Sequence, residues 1–101
     1  MNIVDDVKNE LAKYIIVLRD SLINCHRTED RPLYQIHLAI AAIMFAEIQI
    51  KFSLKHLKES IESEKRGYGT GYLSYDEGLA TETAFYKFAD FIENINDREQ
   101  T

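Results

Sequence analysis

PLYQIHLAIAAIMFAEIQIKFSLKHLKESIESEKR, residues 32–66, decides the fold of this chain. No glycine or proline interrupts the 34 residues between Pro32 and Gly67, and apolar side chains recur there every three or four positions. Leu33, Ile36, Ile40, Ile43, Ile50, Leu54, Leu57 and Ile61 keep a heptad rhythm, interrupted once at Glu47. That pattern predicts one α-helix over about 32–66, roughly 50 Å long at 1.5 Å per residue. Pro32 suits the first turn, where its missing N–H costs nothing. Thr28 or Asp30 is the expected N-cap, and Gly67 is placed to end the helix in the left-handed conformation.

Outward from this segment, a first helix is expected over about residues 3–24. Asn2 offers a capping side chain, and Asp5 and Asp6 put negative charge where the helix dipole favours it. Val4, Val7, Leu11, Tyr14 and Leu18 give it one apolar stripe, which Ile15, Ile16, Leu22 and Ile23 widen. Ser74 and Glu77 match a capping box that opens a third helix. Its expected inner face is Leu79, Ala84, Phe85, Phe88, Ala89, Phe91, Ile92 and Ile95. The fold class is therefore all-α: one domain over residues 1–96, three helices with a long central one, and a frayed polar tail at 97–101.

The central helix carries more apolar surface than two neighbours cover. Leu38, Ala41, Phe45, Ile48 and Phe52 form a second stripe roughly opposite the first, and Ala39, Ala42, Ala46, Ser53 and Ser60 form a line of small residues. A helix apolar nearly all round is a buried helix. The expectation is a homodimeric helical bundle, with Leu38, Ala42, Phe45, Ala46, Glu47, Ile48 and Phe52 at the interface. Glu47 would either pair with Lys51 one turn on or set the register at the dimer axis.

Composition narrows the function classes. The chain has 101 residues, 46% of them hydrophobic and 29% charged, which fits a single globular domain. Twelve basic against 17 acidic residues leave a net charge of −5, unfavourable for a phosphate-binding surface, so nucleic acid is not the expected partner. The single Cys25 cannot form an internal disulfide, which points to a reducing compartment. The opening residues lack the basic start and apolar run of a signal peptide. The longest unbroken apolar run, Leu38 to Ala46, is nine residues, against roughly 20 for a bilayer span. A cytoplasmic protein without a membrane partner is expected.

Few residues offer chemistry. The glycine loop Gly67-Tyr68-Gly69-Thr70-Gly71-Tyr72 follows a helix rather than a strand and lacks the Lys-Ser/Thr ending of a nucleotide loop. His26, His37 and His56 have no partner at metal-ligand spacing on one helix face, so neither metal nor cofactor is expected. Tyr68, Tyr72 and Tyr75, crowded within eight residues beside Lys65 and Arg66, have the chemistry of a recognition loop; the tyrosines could equally fold back onto the core.

The stretch Arg31-Pro-Leu-Tyr-Gln-Ile-His37 has an Arg-x5-His spacing that resembles the motif of HEPN-type ribonucleases, small helical domains that act as dimers. The resemblance implies that His37 would act as general base or acid on a ribose 2′-hydroxyl and that Arg31 would stabilise phosphate charge. It is the alternative, as a ribonuclease or toxin-type dimer. The primary expectation is a non-enzymatic protein–protein interaction module: a small acidic adaptor, regulator or inhibitor, of an immunity or anti-defence type. It would hold an unidentified protein partner through the 67–75 loop and the distal half of the central helix.

Overall fold

The structure, a computed structural model, describes residues 2–68 and 76–95. They form four helices rather than three: α1 (Ile3–Ile23), α2 (Arg31–Ile50), α3 (Leu54–Tyr68) and α4 (Asp76–Glu93), with a short 3-10 turn, Thr28–Asp30, ahead of α2. No strand occurs among the described residues. Ser74 of the expected capping box, Tyr72, Tyr75 and the 97–101 tail lie outside them.

The first helix starts where its cap places it: the Asn2 carboxamide oxygen accepts the Val4 N–H at 2.9 Å. α1 packs on both α2 and α4, and α4 also packs on α3. Side chains give the directions. Ser21, late in α1, donates to the Glu77 carbonyl at the start of α4, while Tyr14, half-way along, meets Phe85 and Phe88. α1 and α4 are therefore antiparallel. His37 of α2 reaches Glu64 of α3, so α3 folds back beside α2, and the architecture is an up-down-up-down bundle. Its core takes Val7, Leu11, Tyr14 and Leu18 from α1, Tyr34, Ala41, Met44 and Ile48 from α2, Leu54, Leu57, Ile61 and Tyr68 from α3, and Phe85, Phe88, Ala89 and Ile92 from α4.

The expected central helix is broken at residues 51–53, where Lys51 is extended (φ −157°, ψ 112°). Neither glycine nor proline causes the break; the phase of the apolar stripe does. At 3.6 residues per turn, a continuous helix would put Leu54, Leu57 and Ile61 roughly 150° away from the Tyr34–Ile48 row that α2 turns to the core. One straight helix cannot bury both rows against the same bundle. Breaking after Ile50 lets each row face inward. Ser53 then caps α3, its hydroxyl accepting the His56 N–H at 3.2 Å, and Phe52 and Leu57 stand at the two positions of a hydrophobic staple.

Three further expectations change. Gly67 does not end the helix, since α3 continues through Tyr68. Leu79, assigned to the inner face of the last helix, is exposed on α4. Glu47 has His56, across the turn, as its partner at 2.6 Å rather than Lys51.

Candidate interaction surface

Much of the heptad row that suggested one long helix is turned away from the core by α2, while its Leu33 and Ile40 lie half-buried against the core at the edge. Ile36, Ile43 and Ile50 are 56%, 57% and 85% exposed. Ala39, Ala42 and Ala46 are exposed beside them. The residues 34, 37, 41, 44 and 48 that do face the core repeat with the same three-and-four spacing. α2 thus presents two heptad rows on opposite sides, and one of them is left largely uncovered by the described residues. From Leu33 to Ile50 the only carboxylate is Glu47, at the edge of the outer row and held by His56. Ile16 and Ile23 of the adjacent α1 are exposed too. Ile23 and Leu22 share a shallow depression with Arg31 and Gln35, which places this end of α1 level with the start of α2.

The expected interface residues divide between the two sides of α2. Ile48 is buried in the monomer core, and Leu38, Phe45 and Phe52 are half-buried against it. Ala42 and Ala46 remain on the outside. Among the expected loop contacts, Tyr68 is 3% exposed. Its ring stacks on His37 at 4.3 Å and on Phe85 at 4.6 Å, and its hydroxyl meets that of Tyr14. Tyr68 is a core residue. Lys65 is paired with Glu93 and Glu62, and the Glu93 carboxylate raises its ammonium above the ordinary lysine value. Arg66 is exposed.

Nor does the chain bring the ribonuclease-like pair together. Arg31 is exposed, whereas His37 is 3% exposed and points inward, its Nδ1 2.8 Å from the Glu64 carboxylate. Six residues along a helix separate two side chains by about 120°, so the two face different neighbours.

All three histidines are held by glutamates from other elements, a pattern invisible to spacing rules within one helix. His37–Glu64 joins α2 to α3, His56–Glu47 spans the turn between them, and His26 joins the α1–α2 connection to Glu77 of α4. The Glu77 carboxylate accepts the His26 backbone N–H at 2.8 Å. That bond, with the imidazole beside it, holds Glu77 below the usual carboxylate range. Nearby, Thr81 donates to the Ser21 hydroxyl at 2.6 Å, closing a polar contact in the α1–α4 interface. Among the described residues no group of three or more His, Cys, Asp or Glu side chains could hold a metal ion. Cys25 is half-buried and its thiol meets the Arg27 carbonyl.

Comparison with protein-family models, with curated proteins and with solved structures returned no match.

Proposed function

We propose that the protein is a non-enzymatic cytoplasmic interaction module, an adaptor, regulator or inhibitor, whose working surface is the outer face of α2. One observation carries this: three isoleucines and three alanines lie uncovered on the side of α2 opposite the core, in a row without charge. Single exposed apolar residues are ordinary on a protein surface, but a contiguous row of them marks a binding face. Its 3-4 spacing is the geometry of a seam that receives another helix at a shallow crossing angle. The three isoleucines are on average about two-thirds exposed, so covering them contributes roughly 1–2 kcal/mol each.

The segment Thr28–Ile50 is also long and apolar enough, by length and composition, to cross a bilayer. His37 and Glu47 on that segment are both engaged by α3, and those pairings favour the bundle as its setting. The testing experiment places a photo-crosslinking side chain at Ile43 in cells of the native host, with Glu59, exposed on α3, as control. A discrete protein adduct is expected from position 43 and none from 59. Equal yields from both positions, or none from 43, would reject the surface.

A further inference from the structure

We infer that the occupant of this face is a second copy of the same chain, with the two α2 helices antiparallel about a two-fold axis near residue 41. The inference rests on the interaction surface proposed above and names its partner.

The outer row reads as two heptads with isoleucine at one seam position (Ile36, Ile43, Ile50) and alanine at the other (Ala39, Ala46). In an antiparallel pair, seam layers bring unlike positions together. With the axis at residue 41, Ile36 faces the partner's Ala46 and Ala39 faces the partner's Ile43. Every complete layer then holds one large and one small side chain, and the helices keep an even separation. A parallel pair would stack isoleucine on isoleucine and alanine on alanine, alternately too wide and too narrow. Antiparallel pairing also sets the helix dipoles head to tail.

The flanking positions fit the same register. Gln35 falls opposite the partner's Gln49, and a carboxamide is both donor and acceptor and so complements its own copy. The row itself carries no acidic residue, so two copies of a chain with net charge −5 can meet along it without setting carboxylates face to face. The row spans about 21 Å along α2, and Ile16 and Ile23 of α1, which packs on α2, are exposed as well.

Sedimentation equilibrium tests this on wild type, Ala39→Asp, Ile43→Lys and a 1:1 mixture of the two variants, each at 5–200 µM. The wild type is expected to approach twice the 11.7 kDa of one chain, and each variant alone to associate at least tenfold more weakly. The mixture is expected to recover association, because the new carboxylate of one chain meets the new ammonium of the other only in the antiparallel register. Circular dichroism checks that each variant keeps its helix content.

Monomeric wild type at 200 µM overturns the second copy as occupant. An adduct at Ile43 with a different protein would then leave the surface itself standing, and pelleting of the monomer with phosphatidylglycerol vesicles would assign it to lipid. Variants that remain dimeric overturn the α2 face altogether. Monomeric variants whose mixture fails to associate overturn the antiparallel register.

Discussion

Replacing Glu64 by leucine should unfold this protein at a much lower temperature, even though it puts a hydrophobic residue into a hydrophobic site. Glu64 and His37 are 7% and 3% exposed, with carboxylate and imidazole 2.8 Å apart. Removing one member of a buried pair costs about 3–5 kcal/mol, because the other is left in the interior without the group that compensated its desolvation. Here the imidazole keeps its stacking on Tyr68, so the expected loss is roughly 2–4 kcal/mol. For a domain of this size each kcal/mol lowers Tm by about 4–8 °C, giving a fall on the order of 10–25 °C. The double variant His37→Phe/Glu64→Leu fills the space with apolar atoms and should recover most of that loss. Urea and thermal melts of the four species form a double-mutant cycle, with an expected coupling above ~1 kcal/mol. A Glu64→Leu variant that melts with the wild type would refute the claim that this pair holds α3 against α2.

Three more outcomes follow from named contacts. Ser53→Ala removes the side-chain acceptor at the start of α3 and should cost about 1 kcal/mol in urea unfolding without loss of circular-dichroism helicity. Tyr68→Ala should cost about 3–5 kcal/mol as a core truncation; a variant of unchanged stability that had only lost a partner would return Tyr68 to the recognition loop. Glu77 is held below the ordinary carboxylate value by the His26 N–H, so its contribution is complete above the unfolded-state value near 4.3 and is lost as pH falls through the lower folded value. Unfolding measured from pH 7 down to pH 2 should show wild type more stable than Glu77→Gln at neutrality, with the gap closing in acid; a constant gap would contradict the charge-based account.

The all-helical class was legible because its signals are local. Asn2 capping and the α1 stripe act within a turn or two of the residues that carry them, and the structure follows them closely. The excess of apolar surface on α2 was also readable, since a helix apolar all round shows itself in composition. Which row faces inward was not readable. Residues 34–48 and the row from Ile36 to Ile50 have the same heptad spacing, and only the packing of α1 and α3 chooses between them. The break after Ile50 hid for a related reason: the outer row continues without interruption into Leu54, Leu57 and Ile61, which disguises the change of face. Its local signs, the Ser53 cap and the Phe52–Leu57 staple, are weaker than the absence of glycine and proline. The histidine–glutamate pairs connect residues 9, 27 and 51 positions apart, beyond any rule of spacing along one helix.

The pairing of α1 with α4 also fixes the order in which the molecule can be completed. Tyr14 finds its ring neighbours Phe85 and Phe88 about seventy residues later in the chain, so α1 waits for α4 before its aromatic contacts can form. During synthesis α1 and α2 can close as a local hairpin, since only a short connection separates them. Their shared inner surface stays wet until α4 has left the ribosome and docked. The α1–α4 contacts are therefore the ones of longest sequence separation in the bundle, and the apolar face of α1 that they cover stays exposed until α4 docks.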